Sequence, residues 1–340
     1  MSARAYYQVR VAEVVSETDD ACSLVLGIPP ELEGAFAYQP GQFLTVRIPH
    51  DRDGSVARCY SLSSSPHTGD RPTITVKRMT DGYASNWIAD HLAAGSVLDA
   101  LPPAGTFSPR SLDGDFLLFA AGSGITPVIS ILKSALARGH GQIVLIYANR
   151  DERSVIFGPE LRRLQADAGD RLVVVHWLDG LQGPPTAAGL AALAAPYASH
   201  DAFICGPDPY MAVARQALSQ LGVPAQRVHV ERFLSLAENP FEATETTGGV
   251  AATLEVTLDG ETRLLPWPPG SRMLDVLIDQ GLDPPFSCRQ GICGACACRL
   301  TGGQVEMAHN EVLEAEDVAE GYILACQAIP TTDAVSISYA

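Results

Sequence analysis

The sequence predicts a multidomain α+β protein: an antiparallel β-barrel, then a parallel α/β sheet, then a smaller C-terminal unit around a cysteine-rich loop. Three observations carry this reading. Up to about residue 108, short strand-like runs alternate with Pro-Gly and Asp-Gly turns at a spacing of about a dozen residues. From about residue 113, continuous apolar runs alternate with amphipathic ones, the pattern of strands buried on both faces with helices between them. Four of the eight cysteines crowd between Cys288 and Cys298.

Within the first section the predicted strands are YYQVRVAEVV, CSLVLGI, QFLTVRIP, RCYSLSS, TITVKRM and SVLDAL. One helix interrupts them, SNWIADHLAAG, with Ser85 as its expected N-cap and Gly95 beyond its end. The second section reads strand FLLFAA, helix PVISILKSALAR, strand IVLIYAN, a helix near GPELRRLQADAG, strand LVVVHWL, a helix in TAAGLAALAA, strand AFIC and helix PYMAVARQALSQ. SLAENPFEATETTGG then mixes Pro, Thr, Glu and Gly without periodicity and reads as a linker. After it comes a hairpin turning at Asp259-Gly260, the short helix MLDVLID and the cysteine loop. The expected boundaries are 1–110, 111–234, a linker at 235–250, and 251–340.

With 340 residues, the chain can build two to three cores. A formal net charge of −16 argues against a nucleic-acid binder, since phosphate recognition needs clustered Lys and Arg. The acidity is uneven: from Val250 onward there are 13 Asp and Glu against 4 Arg. That excess is either simple solubility or a docking face for a basic partner. The N-terminal residues lack a secretory pattern, and no apolar run reaches the ~18 residues of a membrane span. A cytoplasmic monomer without membrane contact is therefore the expectation.

Cys288, Cys293 and Cys296 form C-x4-C-x2-C, and Cys326 follows after 29 residues. This is the plant-type [2Fe–2S] ligand spacing, in which three thiolates come from one loop and the fourth from elsewhere. Gly291, Gly294 and Ala295 are small enough to let that loop's backbone approach the sulfurs. A structural zinc site is the rival, but such sites favour paired ligands on both sides, and here the distal side offers Cys326 and at most His309. Cys298 fits no ligand position and reads as a core residue of the next strand. On these residues, and on EGYILACQAIP approaching the fourth cysteine, the stretch Thr253–Tyr339 resembles a plant-type ferredoxin domain of β-grasp fold.

Arg58-Cys59-Tyr60-Ser61 is R-x-Y-S on a strand. Arg58 can neutralise a flavin phosphate, Tyr60 can stack on the ring, and the Ser61 hydroxyl can reach its reactive nitrogen. Alone, these four residues could equally be an ordinary strand. Their context adds weight: QPGQFLTV precedes, and KRMTDGYAS (Lys77–Ser85) follows, where Gly82 to Ser85 open a helix whose free N–H groups can hold a pyrophosphate. Gly122-Ser123-Gly124-Ile125-Thr126-Pro127 then joins a strand to a helix, differing from G-x-G-x-x-G but likewise exposing N–H groups to a dinucleotide phosphate. Pro127 suits a first helical turn. Cys205-Gly206-Pro207-Asp208 closes another strand; Cys205 alone reads as a buried apolar residue.

Together these motifs resemble the ferredoxin–NAD(P) reductase superfamily, and nearly the whole chain resembles the reductase components of multicomponent oxygenases. The ketosteroid 9α-hydroxylase and phenylacetyl-CoA epoxidase reductases are of this type, and YANRDERSVIF looks most like the former. The resemblance implies FAD bound by Arg58, Tyr60, Ser61, Val76, Lys77, Gly82, Ser85 and Phe233. It implies NAD(P)H at Gly122, Gly124, Thr126, Pro127, Asn149, Arg150, Cys205, Gly206, Pro207 and Asp208, and iron held by Cys288, Cys293, Cys296 and Cys326. Ser61, Cys205 and Glu231 are the expected catalytic residues, with Cys205 near the hydride path and Glu231 orienting the nicotinamide or relaying a proton. A bland reading makes Glu231 a surface acid and Phe233 a packed ring. The G-x-x-S element favours FAD over FMN. Asp151 and Glu152, beside Arg150 and Arg153, oppose a 2′-phosphate and favour NADH over NADPH.

The implied activity is electron transfer from NAD(P)H through FAD and the cluster to a terminal oxygenase, Rieske-type or di-iron, in steroid or aromatic catabolism. Two alternatives belong to other classes. A stand-alone NAD(P)H:acceptor reductase would turn over small quinones or flavins. An iron–sulfur redox sensor would need an output module, for which no segment is left over.

Overall fold

Alternation of apolar and polar residues makes the first section a sheet with one buried face. The computed structural model describes residues 6–52, 54–242 and 252–339. Strands β1 (Tyr7–Thr18), β2 (Ala21–Gly27), β3 (Phe43–His50), β4 (Gly54–Ser61), β5 (Thr73–Lys77) and β6 (Val97–Ala100) pair antiparallel in the order β4-β3-β6-β1-β2-β5. A bridge between Leu62 and Ile74 joins the two outer strands and closes the barrel. Val9, Leu24, Val46 and Ile74 fill it, each 1% exposed or less.

Helix α1 (Tyr83–His91) begins earlier than the sequence predicts, with Gly82 rather than Ser85 as N-cap. A Cβ on Gly82 would stand 2.7 Å from the Met79 Cβ, so the chain enters the helix through a turn too tight for a side chain. Ser85 lies within the first turn, where its hydroxyl accepts from the Met79 N–H at 3.0 Å.

The second section forms a parallel sheet of β7 (Phe116–Ala121), β8 (Ile143–Asn149), β9 (Leu172–Leu178), β10 (Asp201–Cys205) and β11 (Val228–Glu231), ordered β11-β10-β7-β8-β9. Every residue of β7 and β8 is buried, as their unbroken apolar sequences require. Helices α2 (Ile125–Arg138) and α3 (Gly158–Ala168) cover one face. After the short α4 (Asp179–Gln182), α5 (Ala187–Ala194) and α6 (Asp208–Gln220) cover the other. The strand order turns back between β7 and β10, the switch point at which open α/β sheets bind ligands.

In the third section β12 (Ala252–Leu258) and β13 (Glu261–Trp267) form the predicted hairpin, with Asp259 at φ 53° and Gly260 at φ 79°. Both angles are left-handed, as a two-residue turn matched to strand twist demands. Helix α7 (Met273–Asp279), strand β14 (Ala297–Gly302), β15 (Val305–Met307), α8 (Ala315–Ala319), β16 (Tyr322–Leu324), β17 (Ala328–Pro330) and β18 (Ala334–Ser338) follow. The main sheet runs β13-β12-β18-β14-β16, with β12 and β18 parallel and the other pairs antiparallel. Trp267, at the end of edge strand β13, is fully buried in the core beneath this sheet, and Cys298 packs into the same core.

The segment read as a linker lies partly outside the described residues. Its described part, 235–242, is irregular but docked. Leu236 packs against Phe43, Cys288 and Cys293, and Asn239 donates to the Ser55 carbonyl at 3.0 Å. Phe241 meets the Tyr6 ring edge-on at 5.7 Å. Among the described residues no helix is long and apolar enough to cross a membrane.

Candidate functional site

All three units contribute residues to one cleft. This cleft of about 320 Å³ is lined by Ser61 of the barrel, Glu231 and Phe233 after the parallel sheet, and Cys288 and Cys293 of the cysteine loop. Ser61 is the last residue of β4 and is buried. Glu231 ends β11, in register with Cys205 of β10. Partial burial without an opposing cation pushes the Glu231 carboxyl up to about 7, so near neutral pH it is poised to hold or release a proton. Cys205 is fully buried and its thiol is pushed well up, so it stands there as a neutral group rather than a thiolate.

The other flavin candidates surround this cleft unequally. Arg58 donates to the Ala57 carbonyl at 2.7 Å, which holds its guanidinium along β4. Tyr60 packs against the barrel core, and burial pushes its phenol up. The Val76 side chain is buried in that core, so any part it takes at a cofactor is through its main chain. Lys77 lies 3.7 Å from the Asp20 carboxylate and faces Gly122 of the neighbouring unit. Phe233 is 48% exposed at the cleft's edge. Ser85 is already engaged with Met79, leaving the first-turn amides of α1 as the free donors there.

At the C-terminal edge of the parallel sheet, adjacent β7 and β10 bring the two nucleotide motifs together. Gly122 has φ 54°, and a Cβ on Gly124 would lie 2.2 Å from the Cys205 carbonyl oxygen. The two turns therefore touch backbone to backbone, and only glycine fits between them. Thr126 donates to the Ser123 carbonyl at 3.0 Å and Pro127 is buried in α2, so these two shape the turn. Pro207 caps α6 and Asp208 opens it. Asn149, at the end of β8, is 5% exposed, and its amide makes no close hydrogen bond within the protein, with only the neighbouring Tyr147 phenol near it. A buried unpaired amide is costly, and a dinucleotide bound at this edge would satisfy it. Arg150 is tied instead to Asp20 at 3.1 Å. Ser154 and Asp151 cap one another in a short 3-10 turn.

The four cysteines fall into two pairs. Cys288 neighbours Cys293, and Cys296 neighbours Cys326, whose N–H points at the Cys296 sulfur at 3.5 Å. All four are buried, between 1% and 4% exposed. Among the described residues no three His, Cys, Asp or Glu side chains converge on one ion position. Two adjacent pairs fit two irons with two thiolates each better than one tetrahedral zinc ion. The Gln290 N–H points at the Cys288 sulfur at 3.3 Å, and the Gln327 amide at the Cys326 sulfur at 3.6 Å.

Several residues of this site escape sequence reasoning. Arg289, with φ 58° directly after Cys288, forms a buried ion pair with Asp275 of α7 and donates to the Glu242 carbonyl. Gln327 also donates to the Arg289 carbonyl at 2.9 Å. Thr45 of β3 and Ser287 share a buried hydrogen bond between barrel and cysteine loop. Adjacency to a ligand cysteine marks Arg289, Ser287 and Gln327 as candidates, but nothing local marks Thr45 or Asp275.

Known proteins match this arrangement throughout. Family profiles match as an oxidoreductase FAD-binding domain at residues 8–108, an oxidoreductase NAD-binding domain at 118–216, and a 2Fe-2S iron-sulfur cluster binding domain at 256–331. The chain is 56% identical to the 3-ketosteroid-9-alpha-monooxygenase ferredoxin reductase component of Rhodococcus rhodochrous, covering 97% of this chain and 95% of that one. It is 33% identical to a component of the 1,2-phenylacetyl-CoA epoxidase of Escherichia coli, covering 98% of both. Among solved structures, phthalate dioxygenase reductase aligns over 98% of both chains with a TM-score of 0.56 at 24% identity, which shows a shared fold.

Proposed function

The chain belongs to the family of multicomponent-oxygenase reductase components with FAD, NAD and [2Fe–2S] domains, and on that premise we propose that it passes electrons from NADH to the terminal oxygenase, Rieske-type or di-iron, of a steroid-hydroxylating system. The steroid assignment rests on the name of the 56% identical relative. The observation that carries the route is the cleft itself, where Ser61, Glu231 and the Cys288–Cys293 pair line one space. Bound FAD supplies the exchange of a two-electron hydride for single electrons, which the [2Fe–2S] cluster carries one at a time.

The chain's own residues do the rest. The Gly122–Gly124 and Cys205–Gly206 turns hold the dinucleotide at the sheet edge, with the Asn149 amide as a buried donor and acceptor. The Ser61 hydroxyl orients the flavin ring, and the Glu231 carboxyl holds a proton beside it. Arg58 and the first-turn amides of α1 take the flavin phosphates. Asp20 pairs with Arg150, and Asp151 and Glu152 place negative charge around Arg153, which disfavours a 2′-phosphate and favours NADH. Cys288, Cys293, Cys296 and Cys326 hold the irons as thiolates. The remaining expectations join this reading: a cytoplasmic monomer whose acidic C-terminal unit docks on a basic partner.

Anaerobic titration of the holoprotein with NADH, followed by visible absorbance, tests the route. Bleaching of both flavin and cluster bands is expected; bleaching of the flavin alone would overturn the electron order. Coupling to the oxygenase should weaken as salt rises. Equal coupling at low and high ionic strength would remove the electrostatic docking.

A further inference from the structure

The cysteine loop lies directly against the strands that carry the flavin motif. Thr45 and Ser287, 242 positions apart, share a hydrogen bond of 2.8 Å between their hydroxyls. Thr45 is 0% and Ser287 1% exposed, so neither has water as a substitute partner. Thr45 sits across the ladder from Cys59 and lies 3.4 Å from its sulfur. Around this polar spot Phe43, Ala57, Ala104, Leu236, Cys288 and Cys293 form a continuous apolar cluster. On the far side of the loop, a Cβ on Gly294 would stand 3.2 Å from the Thr106 methyl, so the loop's backbone rests on the barrel there too.

The loop is thus seated at two points that bracket Cys288 and Cys293: Ser287 just before the first and Gly294 just after the second. An apolar contact alone tolerates sliding, whereas a buried hydroxyl pair has one low-energy register, because separation strands the Ser287 hydroxyl and leaves Thr45 only its weak bond to the Cys59 sulfur. We propose that the Thr45–Ser287 hydrogen bond is the positioning contact that fixes the cluster loop against the flavin strand, so that flavin-to-cluster transfer occurs in one docked arrangement rather than by a swinging ferredoxin unit. The step it governs is one electron leaving the reduced flavin and reducing one ferric iron, with no bond made or broken. The proposal rests on the reading of Cys288 and Cys293 as ligands.

The test uses full-length holoprotein carrying Thr45→Val, Ser287→Ala, both together, or Ser287→Thr. Two readouts are taken: the flavin and cluster phases of anaerobic reduction by NADH in stopped flow, and hydrogen–deuterium exchange of segments 43–47 and 286–295 in the oxidised protein. Thr45→Val and Ser287→Ala are each expected to keep both absorbance bands and the flavin rate, slow the cluster phase by about tenfold or more, and raise exchange in both segments. The double variant should be no worse than the worse single, because the two side chains act as one pair. Ser287→Thr should restore both readouts. Wild-type cluster rates and exchange in Thr45→Val and Ser287→Ala, or effects that multiply in the double, would overturn the proposal. Loss of the cluster band would make Ser287 part of the cluster scaffold and overturn it as well. The ligand reading fails by a different result, retention of the band in Cys288→Ser.

Discussion

Two glycine-containing segments bring backbone against cofactor positions, and they are held in opposite ways. The turn at Gly122–Gly124 sits between β7 and α2, beside the matching turn after β10. Its position follows from parallel strands whose register sets Cys205 beside Ala120. The loop from Cys288 to Cys296 has no ladder to define it. Its left-handed residues Arg289, Gly291 and Gly294 are held by side chains from elsewhere: Asp275 on Arg289, Gln327 on the Arg289 carbonyl, Thr45 on Ser287. A Cβ on Gly291 would stand 2.6 Å from the His309 carbonyl oxygen, much as one on Gly124 would meet Cys205. Close approach is common to both, but one site inherits its shape from the sheet and the other assembles it from distant pairs.

The sharpest way to break this comparison is to remove a thiol. Cys326→Ser should abolish the cluster's visible bands and paramagnetic signal, while the flavin still bleaches with NADH. Flavin loss in this variant would show that the two regions do not stand independently. Next in size is the buried ion pair. Arg289→Leu leaves the Asp275 carboxylate without its cation, a change that costs about 3–5 kcal/mol in comparable settings. The melting of the C-terminal unit and retention of the cluster should both suffer, with nucleotide affinity unchanged. A variant melting like the wild type would show that the loop is held without this pair.

The ladder-held turn answers to a different change. Gly124→Ala places a methyl 2.2 Å from the Cys205 carbonyl oxygen, and neither backbone can yield without shifting its strand. The KM for NADH should rise by about tenfold or more, with the cluster bands intact. An unaltered KM would mean that the dinucleotide does not use this turn.

The same contrast explains what the sequence could reveal. The six-residue run FLLFAA announces a strand because a parallel sheet buries both its faces, and each of the six is buried. The cysteine spacing announces its metal because thiolate ligands must come from set intervals. Asp275 gives no such signal: it lies among Met273, Leu274, Val276 and Leu277 in a short helix and is 7% exposed. Its partner stands 14 positions away in an irregular loop. Thr45 is likewise one polar residue in FLTVRIPH, and its role depends on a contact across 242 positions. Ser85 shows a subtler failure, since a residue suited to capping was displaced by a glycine that the tight entry turn required. Local patterns report secondary structure and ligand sets, whereas anchors set by tertiary packing leave no periodic trace.

The smallest effect falls where the regions meet. Glu231 has its carboxyl raised from the ordinary glutamate range to about 7 because burial disfavours the charge. A raised folded-state value means that the neutral carboxyl is the form the fold accommodates. Its contribution to stability is therefore complete below the unfolded value near 4.5 and is lost as pH rises through about 7. Glu231→Gln keeps the shape and cannot ionise, so the difference in stability between variant and wild type should grow from about pH 5 upward and level off above about pH 7. The pH profile of flavin reduction should lose its transition near neutrality in the same variant. A wild-type protein with flat stability across that window would place the carboxylate in contact with water or a cation, and the proton beside the flavin would then need another holder.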